Sequence, residues 1–290
     1  MEDKKPKFFK KIIIIFIFLV LIICTFLLYA RYISTAGLDI KEYKIQNENI
    51  TDNFHGLKIV HISDIHYKTT IDKKKLCNLS KKVNKTKPDI IVFTGDLIDK
   101  EIDYDKNDFK DISECLNNMS ATLGKYAIMG EHDYSYEFFT TLLENSGFIN
   151  LNDSYDYIYK NDQNFILLAG LSSATNKDKS IEEKQQLINE LNQKEEKPIY
   201  SILLVHEPDI IDDIDISQFS LILAGHSHNG QVNVPILRNS LLPDLAKKYN
   251  KEQYKKGNTD IFISNGIGTS HINFRFWNKP SFNLYRITKK

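Results

Sequence analysis

Short, almost wholly apolar runs recur along the chain, separated by longer stretches in which polar residues dominate. Runs this short and this apolar are typical of strands buried on both faces of a sheet. Seven runs fit the pattern: Leu57–Ser63, Ile90–Thr94, Tyr126–Met129, Tyr155–Tyr159, Phe165–Ala169, Ile202–Val205 and Leu221–Ala224.

The polar stretches between these runs are long enough for helices. Helices are predicted at Lys73–Lys87, around Ser135–Asn145 and at Glu182–Gln193. Strand–helix alternation followed by a strand-rich C-terminal third predicts a mixed α/β layer fold.

A different pattern occupies the N-terminus, where Ile12–Ala30 carries no charge and consists mainly of Ile, Leu and Phe. At about 1.5 Å per residue, such a run crosses a hydrocarbon core of roughly 30 Å. Lysines crowd its upstream side, whereas Arg31 alone lies close downstream. The positive-inside rule then predicts a single-pass anchor in the cell membrane, with the following domain on the extracytoplasmic face. A cleaved signal peptide, with Ser34-Thr35-Ala36 as its cleavage site, and a buried helix of a soluble protein are the alternatives.

Composition adds two constraints. Lys+Arg and Asp+Glu both number 38, so no charge imbalance indicates a nucleic-acid partner. Cys24, Cys77 and Cys115 form no C-x-x-C pair, which makes a structural zinc site improbable. We expect the three cysteines to be isolated thiols rather than a disulfide.

Polar blocks follow the strand-like runs at the points where strands should end. Carboxylates and imidazoles in such positions can converge on metal ions from one loop after another. The blocks are Asp64-Ile65-His66, Gly95-Asp96-Leu97-Ile98-Asp99, Gly130-Glu131-His132-Asp133, His206 and Gly225-His226-Ser227-His228. Each block alone is weak evidence, but their order and their positions after apolar runs together predict a metal site.

These blocks resemble those of the calcineurin-like metallophosphoesterase superfamily, and most of all its membrane-anchored YkuE/YaeI-type branch. The resemblance extends to Gly230-Gln231-Val232, to Gly266-Ile267-Gly268-Thr269-Ser270 and to Arg275 followed by Pro280. It implies a four-layer fold in which two packed mixed β-sheets are flanked by helices. We therefore expect residues 1–36 to form a cytoplasmic tip, an anchor and a short linker, and residues 37–290 to form the phosphoesterase domain.

The resemblance also implies roles for individual residues. Asp64, His66 and His228 would bind one metal ion, Glu131, His206 and His226 the other, and Asp96 would bridge both. Mixed nitrogen and oxygen ligands suit manganese first, and iron or zinc as alternatives. His132 would protonate the leaving oxygen and Asp99 would orient it, with Asp133 and Ser63 supporting the ligands.

The spacing in Gly225-His226-Ser227-His228 has an interpretation of its own. If that segment is extended, side chains at i and i+2 point to the same side and can serve adjacent metals.

Three positions depart from the branch's pattern: Asn229 replaces a usual Gly, Ser281 a usual Glu, and Glu131 a usual Asn. Only Glu131 lies among the expected ligands. It adds a negative charge where phosphate must bind and removes an NH₂ donor.

The sequence thus predicts a membrane-anchored, two-metal phosphoesterase that hydrolyses a phosphodiester or pyrophosphate bond of a cell-envelope or lipid-linked substrate. Two alternatives remain: a phosphomonoesterase on the same fold, and a catalytically weak, metal-binding interaction module in which Glu131 marks lost activity.

Overall fold

Two six-stranded β-sheets make up the centre of the domain in the computed structural model, which describes residues 5–135, 139–160, 163–175, 179–234 and 238–290. The strands are β1 (Asp39–Asn47), β2 (Leu57–Ile62), β3 (Ile90–Thr94), β4 (Gly124–Ile128), β5 (Ile149–Asn150), β6 (Ser154–Tyr159), β7 (Phe165–Gly170), β8 (Tyr200–Val205), β9 (Leu221–Ala224), β10 (Gln253–Lys256), β11 (Thr259–Ile263) and β12 (Ser281–Lys289). The helices are α1 (Lys5–Leu28), α2 (Lys73–Thr86), α3 (Lys106–Asn117), α4 (Phe139–Asn145) and α5 (Ile181–Asn192).

The strand order is β1-β12-β2-β3-β4-β5 in the first sheet and β10-β11-β9-β8-β7-β6 in the second. Strands β2 to β5 run parallel, as do β7, β8, β9 and β11. Because parallel strands end at the same edge, each sheet presents several consecutive loops at one end.

Apolar side chains fill three layers. Between the sheets, residues such as Val92, Ile128, Leu204 and Tyr285 form one buried cluster. The outer face of the first sheet is covered by α2, α3 and α4, and that of the second by α5. This is the predicted four-layer α/β fold.

All seven apolar runs form strands whose ends lie within two residues of the prediction. Strands β1, β5, β10, β11 and β12 were not predicted individually. Strand β1 lies parallel to β12, the last strand of the chain, with partners from Asp39↔Ser281 to Asn47↔Lys289.

The expectation of isolated thiols is wrong for two cysteines, because Cys77 of α2 and Cys115 of α3 form a disulfide. The two helices pack side by side on the first sheet, so residues far apart in sequence face each other. Cys24 is free and lies on the exposed surface of α1.

The N-terminal apolar run forms α1, which continues through a π-helical turn at Tyr29–Ile33. The apolar span Phe8–Ile33 is long enough to cross a membrane, and its residues are exposed as far as Tyr29. The alternative of a buried helix is therefore wrong. A turn at residues 34–37 then leads into β1, so the link between α1 and the sheet is short.

Candidate metal centre

The ends of β2, β3, β4, β8 and β9 bring all nine sequence-predicted site residues to one end of the two sheets. Eight of them are buried, and Glu131 is partly exposed at the rim. Backbone hydrogen bonds join the loops, including Asp64 N–H to Gly95 O (2.9 Å) and Gly225 N–H to His206 O (3.1 Å).

The backbone at this edge is strained. Five site residues have φ in the left-handed region, namely Asp64 (51°), His66 (42°), Asp96 (58°), His226 (63°) and His228 (47°). Non-glycine residues adopt this conformation at a cost of about 1–3 kcal/mol each, and such residues cluster at functional sites.

Two glycines allow the loops after β3 and β4 to approach each other. A Cβ atom on Gly95 would lie 2.3 Å from Gly130 N, and one on Gly130 would lie 2.2 Å from Asp96 Oδ1. Only a residue without a side chain fits either position.

Among the described residues, the ligand-type side chains form four overlapping groups, each with its ligand atoms within 4.8 Å of one another. Two of the groups contain His132, one with His66 and Asp99 and one with Asp96 and Glu131. The remaining two share no residue. One group is Asp64, His66 and His228, and the other is Asp96, His206 and His226. Asp96 Oδ2 lies between the groups, 3.6 Å from His66 Nε2 and 3.1 Å from His206 Nε2.

Several nitrogen and oxygen atoms in these groups suit a bound cation better than a hydrogen bond. Asp64 Oδ2 and His206 Nε2 are buried, and neither makes a well-formed hydrogen bond to a described residue. His66 Nε2 and His228 Nε2 face each other at 3.3 Å, so at most one of them can donate a proton to the other. Divalent metal ions would satisfy all of these lone pairs, and the donor set of imidazole and carboxylate fits them.

The opposite ring nitrogens of two histidines are held by backbone carbonyls. His206 Nδ1 lies 2.6 Å from Thr94 O, and His226 Nε2 lies 2.7 Å from Asp244 O. Such contacts fix the tautomer that leaves the other nitrogen free for a metal.

His226 and His228 serve different groups because the turn separates them, not because the segment is extended. Both have positive φ, and residues 226–230 form a tight turn. Both imidazoles lie in the ligand groups, but the extended segment from which this was argued is not present.

Arg275 is a buried residue that contacts a candidate metal ligand, a contact that the sequence motifs did not predict. Its guanidinium lies 3.3 Å from His228 Nδ1 and donates to the carbonyl oxygens of Gly268 and Asn265. Burial, followed by the charges of His66 and Arg275, lowers the pKa of His228 well below its ordinary value. The imidazole is thus neutral, as a metal ligand must be.

Asp99 and Glu131 flank His132. Asp99 Oδ1 lies 3.3 Å from His132 Nδ1, and Glu131 Oε1 lies 3.3 Å from His132 Nε2. Burial alone would lower the pKa of His132, but the two carboxylates outweigh it and raise the pKa to about 10. Asp99 Oδ2 also lies 3.5 Å from His66 Nδ1, a second contact that the sequence did not indicate.

Asp133 holds two loops in place. Its carboxylate accepts hydrogen bonds from the backbone N–H groups of Asp96 (2.8 Å), Leu97 (2.9 Å) and Gly130 (2.9 Å). Ser63 accepts a hydrogen bond from the Thr94 hydroxyl at 2.8 Å. Both residues therefore support the ligand loops without joining the ligand groups.

A cleft of about 340 Å³ opens beside the two groups. Its polar floor includes Asp96 and His132, with Glu131 at the rim, whereas one wall is apolar and includes Leu241, Leu242 and Ile272. Polar and apolar side chains thus meet in one cleft beside the ligand groups.

Fold and site define a class of protein, and comparison with known sequences gives the same class. A model of the family described as calcineurin-like phosphoesterase matches residues 57–230. The chain belongs to this family of metal-dependent phosphoester hydrolases, whose members use a dimetal centre.

Its relatives include YkuE of Bacillus subtilis, described as an uncharacterized metallophosphoesterase. The two are 30% identical over 262 residues, which cover 89% of this chain and 88% of YkuE. A zebrafish protein described as a transmembrane protein with a metallophosphoesterase domain is 27% identical over 246 residues, covering 81% of this chain and 54% of that protein. The crystal structure of the calcineurin-like phosphoesterase YfkN from Bacillus subtilis aligns with a TM-score of 0.45 at 14% identity, over 73% of this chain and 82% of that one.

Proposed function

We propose that this protein is a membrane-anchored, two-metal phosphoesterase that hydrolyses a phosphodiester or pyrophosphate bond. The observation that carries the proposal is the pair of adjacent ligand groups with unpaired lone pairs at the base of a cleft. Membership of the calcineurin-like family supports the same reaction class.

The proposed ligands follow the two groups. Asp64, His66 and His228 would hold one ion, and Asp96 would reach both. When bound, two divalent ions supply the positive charge and the acidification of water that phosphoester hydrolysis requires. Manganese suits the mixed donor set first, with iron or zinc as alternatives.

Glu131, His206 and His226 would complete the second metal site. Glu131 Oε1 lies 3.8 Å from His226 Nδ1, so a small rotation of the side chain would bring the carboxylate into that group. Its position at the cleft rim also places its charge beside the phosphate that the cleft would bind.

His132 is the proposed acid, and Asp99 is its positioning residue. The imidazole lines the cleft, and Asp99 holds its Nδ1 side from within the domain. His132 can therefore deliver a proton from Nε2 to a leaving oxygen, which weakens the bond being broken.

An extracytoplasmic location of residues 37–290 is supported by two observations. Lysines precede the apolar span and only Arg31 follows it closely, which favours a cytoplasmic N-terminus. The Cys77–Cys115 disulfide requires an oxidising compartment, and such bonds are rare in the cytosol.

A lipid-linked or other cell-envelope substrate is supported by the cleft itself. The apolar wall formed by Leu241, Leu242 and Ile272 offers a surface for an acyl or isoprenoid group next to the polar floor. A substrate made of a phosphate and a carbohydrate alone would leave this wall without a partner.

The test uses the full-length protein in lipid nanodiscs, stripped of metal and then supplied with single divalent ions. We expect hydrolysis of an aryl phosphodiester only after a transition metal is added. Asp96→Asn should abolish it because the shared carboxylate is weakened, whereas the matched control Asp103→Asn, an exposed position, should retain it. Equal activity of Asp96→Asn and wild type would contradict the proposal.

A further inference from the structure

One loop, residues 270–278, connects the cleft with α1. At its first end, Ser270, His271 and Ile272 line the cleft, and the His271 ring lies 6.1 Å from the His132 ring. At its other end, the ring of Phe276 packs against Phe26 of α1 at 4.4 Å. The loop therefore touches both the proposed catalytic site and the proposed membrane anchor.

Arg275 shows how short this connection is. Its backbone N–H donates to Ala30 O at the end of α1 (3.0 Å), while its side chain lies against His228 in the ligand group. A single residue thus spans from the membrane anchor to the candidate metal centre.

The contact between Phe276 and Phe26 fixes the level of the loop along the axis of α1, and therefore its depth in a bilayer that α1 crosses. Phe26 precedes the last uncharged residue of the run, Ala30, by four positions, or about 6 Å of helix. An apolar groove between the helix and the loop is lined by residues that include Leu21, Ile22, Phe276 and Trp277. If α1 spans the bilayer, Phe276 and Trp277 lie at the level of its outer boundary.

Trp277 presents a large aromatic ring at the surface of the loop. Its side chain is 66% exposed, its φ is +52°, and its ring packs on Phe276 at 4.7 Å. Tryptophan and tyrosine side chains concentrate at membrane–water interfaces. Tyr29 and Tyr32 expose their rings at the same end of α1.

The loop is also held in place. The Gln231 side chain accepts from Ser270 N–H (3.0 Å) and donates to Ile272 O (2.8 Å). Backbone bonds from Phe276 N–H to Gln231 O (3.1 Å) and from Asn233 N–H to Phe276 O (2.9 Å) fix the other end. The aromatic side chains are therefore presented at a defined position.

We propose that residues 271–277 form a second membrane contact of the catalytic domain, seated in the lipid headgroup layer of the bilayer that α1 crosses. An anchor with a single contact lets a domain swing, whereas two contacts fix its orientation. The seated loop holds the mouth of the cleft against the membrane surface. This inference rests on the membrane span proposed for α1 and is independent of catalytic activity.

Trp277 is the only tryptophan of the chain, so intrinsic fluorescence reports on it alone. The full-length protein is placed in nanodiscs made with or without brominated phosphatidylcholine. We expect strong quenching by the brominated lipid, a blue-shifted emission and weak quenching by aqueous acrylamide. The matched control is the double variant Trp277→Phe/Tyr159→Trp. It moves the probe to an exposed position at the C-terminal end of β6, in the second sheet. Acrylamide should quench the control more efficiently than the wild type, as expected for an indole in water rather than at the interface.

Three results would overturn the inference. Equal acrylamide quenching of the wild type and the control would show that the loop faces water. Protection from acrylamide without quenching by brominated lipid would show that protein, such as a second copy, covers Trp277. Extraction of the protein from membranes by alkaline carbonate would refute the membrane span on which the inference rests, whatever the enzyme's activity.

Discussion

Removal of the charge on Glu131 should shift the enzyme's preference toward phosphomonoesters. Glu131 lines the cleft with a side chain that is 19% exposed, and its carboxylate lies beside His132 and His226. A monoester is dianionic near neutral pH and a diester is monoanionic, so a fixed carboxylate repels the monoester more. We therefore expect the natural enzyme to favour diesters or pyrophosphate esters.

The size of the shift follows from the separation of the charges. One additional charge at roughly 5 Å, at an effective dielectric constant of about 20, is repelled by about 3 kcal/mol. Screening by solvent at the rim and compensation by bound cations reduce this value. If a third remains, the ratio of kcat/KM for monoester to that for diester changes by about five- to tenfold.

The assay compares 4-nitrophenyl phosphate with methyl 4-nitrophenyl phosphate, which share a leaving group. Any change in proton donation by His132 then affects both rates and cancels in the ratio. Glu131→Asn and Glu131→Gln remove the charge and should both raise the ratio, with metal content unchanged. Glu131→Asp keeps the charge and should leave the ratio unaltered. An equal shift in Glu131→Asp, a shift toward diesters, or loss of a metal ion in the neutral variants would refute the charge argument.

Three further predictions concern proton donation, the disulfide and loop packing. His132→Asn should lower kcat by about 10²–10⁴-fold, with the largest loss for leaving groups of high pKa, and a loss independent of leaving group would oppose the assigned role. Cys77→Ser/Cys115→Ser removes a disulfide that closes a loop with a sequence separation of 38. The free energy of unfolding measured in denaturant should therefore fall by about 4 kcal/mol while activity persists. An unchanged free energy of unfolding would argue against the disulfide. Gly130→Ala should weaken metal affinity by about 10–100-fold because the new methyl group meets Asp96 Oδ1, whereas Gly257→Ala, with nothing within 4 Å, should leave affinity unchanged. Equal metal affinities in these two glycine variants would exclude the steric explanation.

Sequence patterns bring out the candidate site residues because of how parallel strands are built. Strands such as β3 and β9 are buried on both faces, so they appear as uninterrupted apolar runs, and the polar residue that follows each run marks its end. Asp96 and His226 are conspicuous for this reason. The edge strand β1 has mixed exposure and finds its partner β12 across almost the whole chain, a pairing that local patterns do not contain.

Other features depend on tertiary contacts that the sequence leaves open. The Cys77–Cys115 bond arises because α2 and α3 pack side by side, and neither helix carries a spacing signal for it. Arg275 is a buried side chain that reaches His228 from a loop 47 residues further along the chain. The left-handed φ of His226 and His228 invalidated the argument from an extended segment, because that conformation is rarely predictable for residues other than glycine.

The metal content of the active enzyme decides whether hydrolysis requires two bound ions. Full-length protein is stripped by chelation and titrated with manganese, and the bound metal per chain is measured by mass spectrometry alongside diester hydrolysis. We expect no activity without metal and full activity only when about two ions are bound per chain, the stoichiometry of a two-metal site. Full activity in the stripped protein, or saturation of activity with one ion bound, would contradict this expectation.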